Sequence, residues 1–170
     1  MSNIERRYVT EIRAAGRKLE GYAATFGTEA RIADFTEIIL PGAFRGSLGR
    51  DVLALMDHDP AKLLARTKSR TLRIAEDSKG LAFEIDLPET TLGRDVLALA
   101  ERGDLGGMSF GFTVGKGGEN WQGRRRELRA VTLHEISVVS SWPAYNGTVV
   151  SARAMMPPRL ANALRYLETV

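Results

Sequence analysis

Short segments with the pattern of β-strands follow one another along most of this 170-residue chain. They combine alternating or continuous apolar residues with β-branched and aromatic side chains, and turn residues separate them. The predicted strands cover residues 8–12, 18–26, 35–40, 52–56, 71–75, 81–87, 107–114, 126–131 and 133–140. A strict alternation of strands with helices is absent. This order argues against a doubly wound parallel sheet and favours a β-rich α+β fold.

Helical periodicity is confined to a few segments. Apolar side chains recur at helical spacing between residues 92 and 103, and Thr90 or Thr91 can cap the start of that helix. A second helix is predicted at 160–167, after two prolines, and one or two helical turns at 43–48. The sequence therefore predicts a sheet or barrel with a few helices on its outside.

One heptapeptide, Gly-Arg-Asp-Val-Leu-Ala-Leu, occurs twice, at residues 49–55 and 93–99. A repeat architecture would extend the similarity over about 20 residues or more, but here the flanking sequences differ at once. The first copy lies in a continuous apolar run that predicts a strand buried on both faces, whereas the second lies within the helical periodicity. The same seven residues are therefore predicted to form a strand and a helix.

Composition excludes several classes of protein. With 44% hydrophobic and 26% charged residues, the chain is typical of a globular domain. It has no cysteine, which excludes disulfides, thiolate metal sites and a cysteine nucleophile. No apolar run approaches the roughly 20 residues of a membrane span, and the first residues lack the apolar core of a signal peptide. We therefore expect a cytoplasmic location and no membrane partner.

The charge of the chain does not indicate a nucleic-acid partner. The net charge is only +3, and the basic residues are dispersed apart from Arg124, Arg125 and Arg126. A nucleic-acid-binding domain usually carries a denser basic stripe with interleaved aromatic residues. Specific nucleic-acid binding is therefore not predicted.

Residues 107–111 match the string Gly-x-Ser-x-Gly around Ser109, which is the nucleophile elbow of α/β-hydrolases. An elbow needs a strand before the serine and a helix after it, whereas here the strand pattern continues through residue 114. Only 61 residues follow the serine, too few to complete that fold. The elbow interpretation is therefore rejected.

The strand pattern gives Ser109 a different setting. Alternation places Met108, Phe110 and Phe112 on one face, and Ser109 and Gly111 on the other. If the apolar face enters the core, the hydroxyl lies on an accessible face that Gly111 clears of bulk. Pattern alone leaves two interpretations open, a nucleophile approached by a peptide and a serine on the polar face of an ordinary strand.

His58 follows the apolar run 52–56 and stands between Asp57 and Asp59. A histidine side chain titrates near neutral pH, so it can accept a proton from a serine. The flanking aspartates are expected to favour the charged imidazolium and to help orient the ring. The alternative is a solvated turn histidine, because Asp-x-Asp-Pro is also good turn chemistry.

Glu135 interrupts a run of β-branched residues in the strand 133–140. A buried carboxylate is costly without a partner, and a histidine that needs orienting is one such partner. His134 is the competing candidate for base or third member, and a solvent-facing Glu135 is the third interpretation. A metal site built from these acids and histidines is not predicted, because no pair has the i, i+4 spacing of a zinc-protease motif.

Six strings in this chain occur together in a specific order. They are Glu-Ile-Ile-Leu-Pro-Gly-Ala-Phe at 37–44, Leu-Met-Asp-His-Asp-Pro at 55–60, Gly-Leu-Ala-Phe-Glu at 80–84, Gly-Met-Ser-Phe-Gly-Phe at 107–112, Leu-His-Glu-Ile-Ser-Val-Val at 133–139 and Pro-Ala-Tyr at 143–145. The ordered set resembles the prohead (procapsid) maturation proteases of tailed phages over roughly residues 5–152. The resemblance implies a protease domain at 1–152, followed by a C-terminal helical tail at 153–170.

The resemblance also implies a fold and a set of catalytic residues. The family is distantly similar to the herpesvirus assembly proteases, which implies a closed β-barrel surrounded by a few helices. Matched to this sequence, the base is His58, the nucleophile is Ser109 and the third member is Glu135. The herpesvirus group places a second histidine in the third position, which keeps His134 as the alternative third member.

The resemblance places the oxyanion donor after the last predicted strand. The segment 135–143 is one residue longer than the family pattern, which predicts a β-bulge there. The backbone N–H groups of Ala144, Tyr145 and Asn146 are the candidate donors. Residues 151–158 are a candidate self-cleavage region.

The function implied by the resemblance is peptide hydrolysis without a metal or other cofactor. The implied substrates are the scaffolding region of the major capsid protein, or a separate scaffold protein, and the protease itself. Cleavage would occur inside the assembling procapsid in the cytoplasm of the bacterial host. A homodimer is left open. The alternatives are a catalytically inactive capsid-assembly factor on the same fold and a small β-barrel ligand-binding module.

Overall fold

The computed structural model describes residues 3–9 and 11–140. They form thirteen β-strands, one α-helix and a short 3-10 turn. The strands are β1 (Glu5–Val9), β2 (Ile12–Ala15), β3 (Lys18–Thr25), β4 (Ala30–Ile32), β5 (Phe35–Ile39), β6 (Leu53–Met56), β7 (Asp59–Arg66), β8 (Leu72–Glu76), β9 (Gly80–Asp86), β10 (Gly107–Val114), β11 (Glu119–Gln122), β12 (Arg125–Leu128) and β13 (Val131–Val139). The helix α1 is Thr91–Arg102, and the 3-10 turn is Arg45–Ser47.

The strands belong to three sheets. A five-stranded sheet has the order β1-β10-β13-β6-β7, and two four-stranded sheets have the orders β11-β12-β5-β4 and β2-β3-β9-β8. Neighbouring strands are antiparallel except for β13 with β6 and β12 with β5. The predicted β-rich fold is confirmed. The predicted closed barrel is wrong for the described residues, because the five-stranded sheet ends at β1 and β7 and these two strands do not pair.

The helix α1 begins and ends where its flanking residues predict. The Thr90 hydroxyl accepts a hydrogen bond from the Gly93 backbone N–H at 3.1 Å, and Gly103, with φ +74°, closes the last turn. Gly93 is required for packing, since a Cβ there would lie 2.0 Å from the Pro88 carbonyl oxygen. The predicted helix is confirmed. The predicted helix at 160–167 lies outside the described residues.

The two copies of the heptapeptide take different structures, as predicted. The first copy enters β6, which pairs with β13 on one side and β7 on the other. The second copy lies within α1. Val52 and Val96, which correspond in the two copies, are both buried. Position in the fold therefore overrides the local preference of these residues.

Two predicted strands have the wrong bounds. The segment 126–131 runs from β12 into the first residue of β13. The segment 8–12 is divided between two strands, because β1 ends at Val9 and pairs with β10, whereas β2 begins at Ile12 and pairs with β3. The two strands thus belong to different sheets. The strands predicted at 71–75 and 81–87 are confirmed as β8 and β9, which form a hairpin, and the strand predicted at 18–26 is confirmed as β3, which pairs with β2.

The five-stranded sheet is apolar on the face that meets the rest of the fold. Met108, Phe110 and Phe112 of β10 are buried there, as the alternation predicted. They belong to one core with residues from β3, β6, β9 and β13. A rigid apolar support of this kind holds the opposite face of β10 and β13 in place.

A buried ionic cluster links β1 to the sheet that contains β5 and β12. The Arg7 guanidinium donates to Glu37 at 2.5 Å, and Arg126 donates to Glu37 at 3.0 Å and to Glu5 at 2.8 Å. Burial works against the charge of Glu5, but hydrogen bonds from Arg126 and Arg7 outweigh it and hold the pKa of Glu5 below its ordinary value. The cluster therefore fixes the N-terminal strand beside β10.

Replacing Glu5 by glutamine is expected to lower the free energy of unfolding at pH 7 by about 1–2 kcal/mol, since charged hydrogen bonds are lost. A carboxyl whose pKa is lowered by folding stabilises the fold above its ordinary value of about 4.5 and stops doing so as the pH falls through the folded value. Urea unfolding from pH 7 to pH 3 should show the gap between the variant and the wild type closing in acid. Glu101→Gln, on an exposed site of α1, is the control. A gap that does not change with pH would contradict the prediction.

Within the described ranges, no helix is both long enough and apolar enough to cross a membrane.

Candidate active site

Polar side chains occupy the face of the five-stranded sheet opposite the apolar core. Ser109 on β10 lies directly opposite Ser137 on β13, and Gly111 lies opposite Glu135. Ser109 and Ser137 are fully buried, and Glu135 is nearly so. Buried polar side chains in folded proteins usually have a structural or functional reason. A cluster of them on one face of a sheet is therefore a candidate functional site.

A β-bulge in β13 lies next to Glu135. The register passes from Gly111 opposite Glu135 to Phe112 opposite Leu133, which leaves His134 as the extra residue. The His134 ring nitrogen Nε2 lies 2.9 Å from the Thr113 hydroxyl. This bulge was not predicted. The bulge predicted within 135–143 is absent from the pairing of residues 135–139 with β10, and residues 141–143 lie outside the described residues.

His58 stands in a two-residue turn between β6 and β7. Asp57 and His58 have φ values of +50° and +60°, and Met56 pairs with Asp59 across the turn. Positive φ at both central residues is the geometry of a type I′ hairpin turn, which asparagine and glycine favour. His58 is therefore held in a left-handed conformation that side chains with a Cβ seldom adopt.

The aspartates beside His58 do not orient its ring, contrary to the prediction. The Asp57 carboxylate accepts hydrogen bonds from the backbone N–H and the hydroxyl of Ser140 at 2.8–3.0 Å. The Asp57 N–H also donates to the Val138 carbonyl at 2.8 Å. The Asp59 carboxylate accepts from the Ala61 N–H. Asp57 thus attaches the turn to the end of β13.

The ring of His58 is oriented by Glu135. The distance from His58 Nδ1 to Glu135 Oε1 is 2.7 Å, and each side chain is only 11% exposed. The other carboxylate oxygen, Oε2, accepts a hydrogen bond from the Ser137 hydroxyl at 2.5 Å. Because Nδ1 is bonded to the carboxylate, Nε2 is the ring nitrogen that can accept a proton.

The predicted nucleophile and base carry unsatisfied polar atoms. Within the described residues, the buried side-chain atoms without a hydrogen-bond partner are His58 Nε2, Ser109 Oγ and Arg6 Nε. Arg6 belongs to β1, and the register places it opposite Gly111 on the same face of the sheet. Unsatisfied buried polar atoms are rare in folded proteins and often mark functional sites.

The expectation of an exposed serine is wrong, since Ser109 has no exposed surface. The reason is its place in the sheet: β10 is an inner strand, and Tyr8 of β1 lies directly opposite Ser109. Burial raises the pKa of Tyr8, and the nearby Ser109 hydroxyl acts in the opposite sense, although the two side chains do not form a complete hydrogen bond. The Tyr8 ring also meets the His58 ring edge-on, with centroids 6.1 Å apart. Tyr8 is thus a site residue that the sequence analysis missed.

Gly111 makes room for the carboxylate of Glu135. A Cβ at residue 111 would lie 2.5 Å from Glu135 Oε1 and 3.2 Å from a methyl carbon of Ile4. The prediction that Gly111 clears this face of bulk is correct in kind, but the cleared space is occupied by Glu135. Glycine at this position is needed for the observed contact between Glu135 and His58.

Replacing Gly111 by alanine is expected to displace the Glu135 carboxylate from His58 while the sheet stays folded. The rate of Ser109 labelling by a fluorophosphonate, a general probe of activated serines, should fall by about tenfold to a hundredfold, the size of a lost hydrogen bond to a charged group. Gly115→Ala is the matched control, because a Cβ there meets nothing within 4 Å. Equal labelling rates in the two variants would show that the fit around Glu135 is unimportant.

Several predicted positions lie outside the described residues. These are Ala144, Tyr145 and Asn146, the candidate oxyanion donors, and the candidate self-cleavage region at 151–158. In the part of the chain that the structure describes, no group of three or more histidine and acidic side chains is arranged to hold a metal ion.

Comparison with known proteins assigns the chain to a family. A family model described as the caudovirus prohead serine protease matches residues 2–159, so the chain belongs to this family. The prohead protease of Enterobacteria phage HK97 is 36% identical over 101 residues, which make up 57% of this chain and 42% of that protein. The match thus spans less than half of the length of this relative. No solved structure matches the chain. The resemblance inferred from the six strings is confirmed.

Proposed function

We propose that this chain is a serine endopeptidase of phage procapsid maturation, with Ser109 as nucleophile, His58 as base and Glu135 as third member. The observation that carries the proposal is the 2.7 Å contact between His58 Nδ1 and Glu135 Oε1. It leaves Nε2 as the proton acceptor on a face that also carries the uncommitted Ser109 hydroxyl. Family membership supports the same assignment.

The two serines on this face are distinguished by their hydrogen bonds. The hydroxyl of Ser137 donates to Glu135, which commits its proton to the carboxylate. The Ser109 hydroxyl has no partner among the described residues. A serine nucleophile must give its proton to the histidine, and Ser109 is the one free to do so.

The proposed reaction is acyl transfer in two steps. His58 Nε2 takes the Ser109 proton as Oγ bonds to the carbonyl carbon of a peptide, and then returns that proton to the leaving nitrogen as the C–N bond breaks. Water then gives a proton to Nε2 as it attacks the acyl-enzyme carbonyl, and His58 passes that proton to Ser109 Oγ as the ester C–O bond breaks and the carboxylic acid leaves. The Glu135 carboxylate stabilises the imidazolium in both steps. The backbone N–H groups of residues 144–146 are proposed as oxyanion donors.

The proposed substrates follow from the family. They are the scaffolding region of the major capsid protein or a separate scaffold protein, together with this chain itself. The proposed place of cleavage is the interior of the assembling procapsid in the bacterial host. Removal of scaffold there would empty the shell before DNA enters.

The test is co-expression of the chain with its capsid and scaffold proteins, with intact masses measured for the wild type and Ser109→Ala. Ser78→Ala, in the exposed turn between β8 and β9, is the control. We expect defined capsid, scaffold or self-derived fragments with the wild type and Ser78→Ala only.

The full burial of Ser109 favours one alternative, a catalytically inactive assembly factor. Identical masses in all three samples, with particles still forming, would establish that alternative.

A further inference from the structure

Ser137 has an environment that packing alone does not explain. It lies between Ile136 and Val138 inside β13, has no exposed surface, and faces the same side of the sheet as Glu135. A buried hydroxyl is costly unless it is hydrogen-bonded. The cost is offset here by one bond, from Ser137 Oγ to Glu135 Oε2 at 2.5 Å.

The carboxylate of Glu135 is held from three sides. His58 bonds to Oε1, Ser137 bonds to Oε2, and the bare Cα of Gly111 leaves the space in which Oε1 lies. The hydrogen bond between His58 and Oε1 orients the imidazole ring. The hydrogen bond from Ser137 fixes the rotation of the carboxylate about the Cγ–Cδ bond of Glu135. Terminal torsions of glutamate are otherwise broad, so Oε1 is aimed at Nδ1 only while Oε2 is anchored.

Burial leaves the Glu135 carboxylate dependent on protein donors. Glu135 is nearly buried and Ser137 is fully buried, so few water molecules can reach Oε2. The Ser137 hydroxyl supplies the hydrogen bond that Oε2 would otherwise lack.

We propose that Ser137 is a positioning residue, which acts through Glu135 to hold the imidazole of His58 as a base. The inference rests on the proposed function and deepens it. It assigns no contact with substrate to Ser137. The proposal states that this role requires the hydroxyl of Ser137, and that a side chain of the same volume without a hydroxyl cannot replace it.

The experiment compares Ser137→Thr with Ser137→Val in the full chain, because the two side chains have the same shape and differ in the hydroxyl. The readout is the rate at which a fluorophosphonate labels Ser109, with Ser109→Ala as the blank. We expect Ser137→Val to be labelled about tenfold to a hundredfold more slowly than Ser137→Thr. Equal rates in two folded variants would overturn the proposal.

A second measurement covers the case in which the extra methyl group does not fit. The proton between His58 Nδ1 and Glu135 is expected to give a downfield NMR signal, which can be assigned readily because the chain has only two histidines. In Ser137→Ala this signal should shift or broaden relative to the wild type, while the spectrum of the rest of the sheet is kept. An unchanged signal would overturn the proposal.

The two measurements separate this inference from the proposed function. If the wild type labels at Ser109 but the Thr and Val variants are equal, the protease assignment stands and the role of Ser137 falls. If the wild type does not label at all, the protease assignment falls, and the NMR signal still decides whether Ser137 holds Glu135.

Discussion

Replacing His58 by glycine or by alanine is expected to abolish peptide cleavage, yet the glycine variant should be the more stable of the two. Both changes remove the proposed base and its bond to Glu135, so the rate should fall by about a thousandfold or more in each. The difference between them lies in the backbone. His58 has φ +60°, where alanine is strained by about 1 kcal/mol and glycine is not.

The comparison between the two variants isolates the backbone strain at residue 58 in the turn. Each leaves Glu135 with the same remaining partner, Ser137, so the cost of the unpaired carboxylate cancels. Urea unfolding should place the free energy of unfolding of His58→Gly about 1 kcal/mol above that of His58→Ala. Ala61→Gly is the control of opposite sign, because Ala61 lies exposed in β7, where glycine costs about 0.5–1 kcal/mol.

The opposite order of stability would show that residue 58 does not need a left-handed conformation. That result would also show that the backbone at residue 58 is not strained by a side chain. If the order is as expected, the chain keeps histidine at a turn position suited to glycine, and so gives up stability for an imidazole with a fixed direction, as the proposed base requires. Asp57, the other residue of the turn, strengthens this fixation through its bonds to Ser140.

The residues that sequence patterns located well are those whose neighbours in the chain decide their environment. Alternation along 107–114 placed Phe110 in the core and Ser109 on the other face, because a strand has a strict period of two. Thr90 and Gly103 fixed the ends of α1 through local capping. The ordered strings around His58 and Glu135 identified the two side chains that meet in the fold, 77 residues apart.

The features that the patterns missed depend on contacts between distant segments. Ser109 is buried because Tyr8 lies opposite it on β1, and nothing in the sequence around residue 109 specifies that neighbour. The bulge at His134 exists only relative to β10. The sequence does contain a pattern that involves Ser137, a serine two residues after a glutamate in an apolar strand. The period of two predicts only that Glu135 and Ser137 share a face of the sheet, and not that they form a hydrogen bond. The open sheet results from which strands pair, and strand pattern does not determine pairing.

Replacing Glu135 by glutamine is expected to slow cleavage and fluorophosphonate labelling by about a thousandfold, while the fold is kept. The carboxylate accepts from both His58 and Ser137, whereas an amide has one accepting oxygen and one donating NH2 group. If the NH2 group faces His58, Nδ1 must accept, the ring proton moves to Nε2, and Nε2 can no longer take the proton of Ser109. If it faces Ser137, the base keeps its tautomer, but no negative charge stabilises the imidazolium.

Either orientation therefore impairs the reaction, and the labelling rate of Glu135→Gln measures how much of the activation of Ser109 comes from the charge of residue 135. Glu101→Gln on α1 controls for the loss of one acidic residue.

Combining Glu135→Gln with Ser137→Ala sharpens the test, because residues that act as one unit have effects that do not add. The double variant should be hardly slower than Glu135→Gln alone. A labelling rate for Glu135→Gln within tenfold of the wild type would remove Glu135 from the reaction and return His134, the competing third member, to consideration.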